Sequence, residues 1–288
     1  MSETFPVSSG PAALLEPDPC SPRPRIAPPA PPHRFRSRIG VDLAGGFYPV
    51  PHRYRLYLSA SCPLSLRVSI TLDLLGLRDT VATTLVGLPD DTPEAYAALR
   101  GAYEATWHRY SGPVDVPALC DGWTGRVVSN HTPDILRDLA GHLSDGSAAG
   151  HPRLRPAALA TDIDVLRDLL DADVIHAARQ AGTAGEAECR DAALERLLTA
   201  LGRLDRGLTA APYALGEELT AADVDLWVAL VQLDTEHRPL LDADAADRVS
   251  RHGQLRAYVR RLHAHPAFHT TLPEALQDEA SREGVEVS

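Results

Sequence analysis

The feature that most limits what this chain can become is a change of hydrophobic period half-way along it. Up to residue 143, short stretches of two-residue alternation are interleaved with helical patterns. Beyond Pro156, apolar residues recur only at steps of three and four. Strands must find partners before the break, and amphipathic helices must pack on one another after it. The expected fold class is therefore a two-domain α+β/all-α chain, and 288 residues suffice for both cores. The expected bounds are 34–145 for the first domain and 157–275 for the helical one, with Gly, Ala, Ser and Pro between 144 and 156 as the linker. Prolines from Pro11 to Pro32 strip the leading segment of backbone donors, so 1–33 is read as a disordered arm and 276–288 as a tail.

Within the first domain the order of elements is a βαβα run followed by a hairpin and a helix. Residues 54–60 alternate, with Tyr54, Leu56 and Leu58 on one face, and end at Ser61-Cys62-Pro63. From Pro63, the residues Leu66, Ile70, Leu74 and Leu77 repeat at helical spacing up to Gly76. A strand over 80–86, a helix over 93–103 and paired strands over 118–120 and 126–129 follow, the last two joined by a Gly-containing turn. Thr132-Pro133-Asp134 opens a helix reaching Leu143, with Thr132 as its cap. The second half predicts helices over 162–180, 189–208, 221–236 and 254–264, and Thr220 with Asp223 forms a capping box whose Leu219 staples onto Val224.

Several classes of function are excluded early. Acidic residues outnumber basic ones by 39 to 28, giving a net charge of -11, the wrong sign for a phosphate backbone. No apolar run reaches the roughly 18 residues of a membrane span, and the first ten residues lack a basic start and an apolar run, so a cytoplasmic chain without a secretory signal is expected. All 28 basic residues are arginine, which removes lysine-based catalysis. Cys20, Cys62, Cys120 and Cys189 form no CxxC pair, arguing against a disulfide framework and a zinc knuckle. His263, His265 and His269 are split between helix faces and by Pro266, so no metal is expected.

Three features carry chemistry. Cys62 stands at a helix N-terminus, where unpaired N–H groups and the positive dipole end favour a thiolate, with Arg67 one turn on adding positive potential. Cys120 and Cys189 fall on core-like positions and are read as inert. Val116-Pro117 sits between a loop and a strand, where a cis bond would expose the backbone of Val116 to an extended ligand. At Asn130-His131-Thr132 the hydroxyl and adjacent amides can hold a carboxylate. His237 with Glu236 ends a helix that can face a cleft between the halves.

These features, in this order and followed by LTAADVDLW, resemble the cytosolic glutathione transferases, and among them the Xi class of glutathionyl-hydroquinone reductases. The similar stretches are RFRSRIGVDLAGGFYPVPHRYRLYLSASCP, RYSGPVDVPALCDGWTGRVVSNHTPDIL and GEELTAADVDLWVALVQLD, spanning about Phe35 to Phe268. The resemblance implies a thioredoxin-like domain with a cis-proline at Pro117 and a nucleophilic Cys62. It implies a thiol site formed by Val116, Pro117, His131, Thr132 and Arg67, and a helical domain that forms the acceptor cleft. Glutathione or another low-molecular-weight thiol would be the co-substrate, with a small organic acceptor, no nucleic acid or membrane partner, and a homodimer as the family's common assembly.

Departures accompany the resemblance. After the cysteine the family reads Pro-Trp-Ala-His-Arg, and here Pro63-Leu64-Ser65-Leu66-Arg67. The family's Glu-Ser pair is replaced by His131-Thr132, exchanging an anion for a ring, and its two substrate-contacting tyrosines by Ile175 and His237. The stretch from Cys62 to Pro117 is shorter than in the family, and its tryptophan-bearing loop has no counterpart here. Three readings stay open: a cysteine-dependent transferase or reductase acting on a thiol adduct, a non-catalytic binding or scaffold protein on the same fold, and a conjugating transferase using Ser59 or Ser61.

Overall fold

The structure, a computed structural model, describes residues 35–41, 46–87, 92–143 and 150–269. The expected arm and tail, and residues 144–149 of the linker, lie outside the described residues. Strand β1 (Tyr54–Leu58) is followed by α1 (Pro63–Leu74), β2 (Ala82–Leu85), α2 (Pro93–Thr106), β3 (Ala118–Asp121), β4 (Arg126–Ser129) and α3 (Thr132–Asp138). The sheet order is β2-β1-β3-β4, with β1 parallel to β2 and the other neighbours antiparallel. The α1 crossover between parallel β1 and β2, followed by an antiparallel hairpin, is the thioredoxin-like arrangement.

The two-residue period of β1 decides which side of the sheet is which. Tyr54, Leu56 and Leu58 point into one core with Leu119 and Val128, while Tyr57 points into the other with Ala118, Cys120 and Val127. The second core is small and is closed by Leu99, Ala102 and Tyr103 of α2. The first runs without a break through α1 into the helical half, as far as Trp227 and Phe268. Helix α1 is accordingly buried nearly all round, at Val68, Ile70, Leu72 and Leu74 among others, because it lies between the sheet and a helix of the second half. It ends where Gly76 takes φ +63°, a conformation costly for any residue with a side chain. The lead-in is ordered as expected: Phe35 accepts from the Asn130 N–H, Ser37 N–H donates to Val128 O at 3.1 Å, and so the free edge of β4 is covered.

The helical half comprises α4 (Ala160–Leu169), α5 (Ala177–Thr183), α6 (Ala187–Ala210), α7 (Ala221–Gln232), α8 (Ala243–Ser250), α9 (Gly253–His263) and α10 (Pro266–His269). Helix α7 is buried from Ala222 to Val231, and Leu154 O accepts its first N–H at 2.7 Å, tying the linker's end to it. The capping box is present: Asp223 Oδ2 accepts the Thr220 N–H at 2.8 Å, and Thr220's side chain caps the first turn. Two expectations are corrected. Helix continuity over 162–180 and 221–236 is interrupted, because Leu170–His176 and Leu233–His237 are wider π-helical turns, as is Leu139–Leu143 after α3. Thr132 is not the cap of α3 but its first residue, and His131 takes the extended cap conformation with φ -101° and ψ 103°.

Candidate active site

The antiparallel register brings three chain segments to one end of the sheet. Tyr57 lies opposite Ala118, and Leu119 opposite Ser129, so the end of β1, the start of β3 and the end of β4 adjoin. Cys62 follows β1, Val116-Pro117 precedes β3, and His131-Thr132 follows β4. Cys62 is half-buried at the cap of α1, where the first-turn amides have no intrahelical acceptor. Its thiol donates to Val116 O at 3.7 Å, across the cis Val116-Pro117 bond. The turn leading to it is held from within, since the buried Ser65 hydroxyl accepts the Ser59 N–H at 3.1 Å.

Tyr103 joins the other two segments. Its hydroxyl donates to Asp115 O at 2.8 Å, next to Val116, and accepts from Asn130 Nδ2 at 3.2 Å, next to His131. One buried phenol thus positions both the cis-proline loop and the β4–α3 junction. Sequence reasoning missed Tyr103, which reads as an ordinary apolar residue of a helix. Asn130 was in view only as part of its motif.

His131 is oriented by a charge cluster. Its Nδ1 lies 2.9 Å from Asp134 Oδ2. Asp134 also receives Arg36 at 2.8 Å and Arg137 at 3.3 Å. Burial pushes the Asp134 carboxyl up, but the Arg36 hydrogen bond and the His131 and Arg36 charges outweigh it and hold it below the usual range. In the cluster at the end of β4, Asp134 thus faces two guanidinium groups, of which Arg137 also reaches Asp164 at 3.3 Å. Thr132 is buried beneath it.

The remaining candidates lie on the helical side. Arg67 departs from expectation: its guanidinium is buried and engages Asp171 at 3.2 Å and Asp225 at 3.6 Å, so its charge is committed to carboxylates of the helical half and fastens α1 to it. Asp171 and Ile175 share one π-helical turn, and His237 ends another that packs against it. His237 is buried, with neither ring nitrogen hydrogen-bonded, and burial pushes its pKa down, so its ring is held neutral. Wide turns of this kind recur at functional sites because they tilt side chains off the regular helix face.

Of the other thiols, Cys120 is buried and pushed up to about 12 by that burial. Cys189 corrects the expectation of a core position: it is half-exposed on α6. The Ser59 and Ser61 hydroxyls lie 3.3 Å from each other in an exposed turn. His263 Nε2 and His269 Nδ1 are 3.2 Å apart, and no group of three or more metal-ligating side chains occurs among the described residues. No described helix is long and apolar enough to cross a membrane.

Comparison with known proteins bears on this arrangement. Residues 187–261, which span α6 to α9 with only the last residues of α9 outside, match the family model "Glutathione S-transferase, C-terminal domain". The glutathionyl-hydroquinone reductase YqjG of Escherichia coli is 29% identical over 260 residues, covering 83% of this chain and 79% of that protein. The glutathione transferase Xi of Phanerochaete chrysosporium superposes with a TM-score of 0.68 at 27% identity, over 83% of this chain and 82% of the other. The helical half thus carries a glutathione S-transferase C-terminal domain, and the chain as a whole is similar to glutathione transferases, Xi-class enzymes among them. YqjG solved with glutathione bound aligns at a TM-score of 0.70 and 28% identity, over 84% of this chain and 85% of that one. The transferase likeness thus takes in both the thioredoxin-like sheet and the helical half.

Proposed function

We propose that this protein is a glutathione-dependent reductase that removes a thiol from a small aromatic adduct, with Cys62 as nucleophile. The observation carrying the reading is the junction of Cys62 at the N-terminus of α1 with the backbone of Val116 across a cis-proline bond. The names of the relatives, glutathionyl-hydroquinone reductases among them, support it. Val116 offers its backbone to the cysteinyl part of the bound thiol. Arg36 and His131, which share the buried Asp134 carboxylate, with the adjacent amides favour a carboxylate at the thiol's far end. Leu64, exposed one residue after Pro63, and the Ile175 and His237 turns supply an apolar cleft for the acceptor.

In the reaction, the Cys62 thiolate attacks the sulfur of a glutathionyl-hydroquinone. A sulfur–sulfur bond forms, the carbon–sulfur bond breaks, and the ring carbon takes a proton as the electron pair passes to it. The ring is reduced and the two sulfurs are oxidised to a mixed disulfide. A second glutathione thiolate then attacks that disulfide, releasing glutathione disulfide and free Cys62. The neutral His237 ring can accept a hydrogen bond from a hydroquinone hydroxyl or donate one to a quinone oxygen.

The test is turnover of a glutathionyl-hydroquinone with excess glutathione. Hydroquinone and glutathione disulfide should appear in equal amounts, and Cys62→Ser should abolish both. Without excess thiol, mass spectrometry should find the glutathione adduct on the Cys62 peptide. Unchanged turnover in Cys62→Ser, or an adduct on another residue, overturns the mechanism. Running the assay with thiols that lack the γ-glutamyl group identifies the co-substrate.

A further inference from the structure

We propose that Tyr103 is a positioning residue that makes the thiol site select a long, two-ended thiol such as glutathione over a short one, by fixing the spacing between Val116 and His131. In the thiol-transfer reading, on which this proposal rests, Val116 meets the cysteinyl part of the thiol and His131 its far end. Strand pairing alone does not set the spacing between them. The β3–β4 ladder reaches Leu119 and Ser129, and its register shifts between that pair and Cys120. An irregular ladder fixes strand ends less firmly than a regular one. Beyond it Pro117 has no N–H to donate, and the turn joining the two strands lies at the opposite end of the sheet.

Tyr103 makes the join from a different element. It is the last buried residue of α2 and is wholly covered. Burial pushes the phenol up and keeps it protonated, and its one hydrogen goes to Asp115 O at 2.8 Å, one residue before Val116. The same oxygen accepts from Asn130 Nδ2 at 3.2 Å, one residue before His131. The backbone fixes how that amide is turned, because the Phe35 N–H donates to Asn130 Oδ1 at 3.0 Å and only the oxygen can receive it. The Phe35 and Tyr110 rings pack on the Tyr103 ring, with centroids 5.5 and 5.0 Å away, and hold it in place. One oxygen atom thus gauges the gap between the two anchors. A ligand that reaches both gains its second contact at high effective concentration only where the gap matches its length. A short thiol touches Val116 alone and is indifferent to the gap.

The test is calorimetric titration with S-methylglutathione and with S-methylcysteinylglycine, thioethers that bind without forming a disulfide. The longer ligand should bind the wild-type protein at least about tenfold more tightly, as one charge-assisted hydrogen bond at its far end implies. Tyr103→Phe should cut that advantage to within about threefold and leave affinity for the short ligand within about twofold of wild type. Thr106→Val controls for lost stability, since it removes another α2 hydroxyl, which donates to Ala102 O and accepts the Val127 N–H near the start of β4, away from both anchors. It should lower the melting temperature and keep the ratio of affinities within about twofold. An unchanged ratio in Tyr103→Phe, an equal fall in Thr106→Val, or wild-type protein that binds both ligands alike or binds neither overturns the proposal. Binding needs no turnover, so failure of the Cys62 chemistry shows separately, in the Cys62→Ser assay.

Discussion

Cys62 and Cys120 belong to the same small sheet domain but differ in what can reach them. Cys120 is covered by Leu99, Tyr103 and Val127, and its thiol is pushed up to about 12, so its thiolate fraction near pH 8 is on the order of one in ten thousand. Cys62 is half-buried at a helix end. Iodoacetamide should therefore label Cys62 at least about a hundredfold faster than Cys120, read by peptide mass spectrometry; comparable rates would remove Cys62 as nucleophile. His131→Ala takes away a ring that Asp134 holds in place, and should raise KM for glutathione about tenfold while kcat stays nearly constant. Cys62, Pro117 and His131 were legible because their meaning is local: a cysteine before a proline that opens a helix, a proline before a strand, a polar residue before a helix. Tyr103 and Arg67 were not, because their partners at Asp115, Asn130, Asp171 and Asp225 are supplied only by the fold.

Among the elements, α7 shows how much one cap can hold. Asp223 is buried and accepts from Thr220 N, from the Thr220 hydroxyl at 3.2 Å, from Ala214 N at 2.8 Å and from the Tyr258 hydroxyl at 2.7 Å. Asp223→Ala deprives four donors of their acceptor and should lower stability by about 3 kcal/mol in a denaturant titration. Asp223→Asn, which keeps an acceptor, should cost less. The long helices were readable from period alone, and the capping box from its two residues. Helix α8 was not expected, because its apolar content is carried by Ala245 and Val249, too few to set a period, although Asp242 caps it through the Ala245 N–H at 2.8 Å. The π-helical turns were also unreadable, since one extra residue in a turn leaves a three-and-four spacing almost unchanged over so short a run.

Across the whole molecule, arginines and aspartates alternate in one unbroken chain of contacts. It runs from Arg36 through Asp134, Arg137, Asp164, Arg167, Asp225 and Arg67 to Asp171, crossing three times between the sheet domain and the helical half. Burial pushes Asp225 up in spite of Arg67 and Arg167, so losing either guanidinium leaves a poorly compensated carboxylate. Arg67→Ala should cost about 3 kcal/mol or more, while Arg67→Met combined with Asp225→Leu should cost much less. Asp134 and Asp164 have the opposite sign. For each, burial pushes up but paired arginines prevail, so the folded values lie below 3.8. Their stabilisation is complete above the unfolded value and is lost as pH falls through the folded one. Melting temperature should thus drop below about pH 4, and Asp164→Asn should flatten that drop.

The larger core, continuous from β1 through α1 to Phe268, has a consequence for recombination. A chimaera spliced at the linker would set a foreign helical half against an α1 and α3 that did not evolve with it. The exchangeable block is smaller and elsewhere: α2, with its side of the sheet at Tyr57, Val86 and Val127, shares a core with nothing in the second half. The seam along which this protein can be shuffled therefore runs through its sheet.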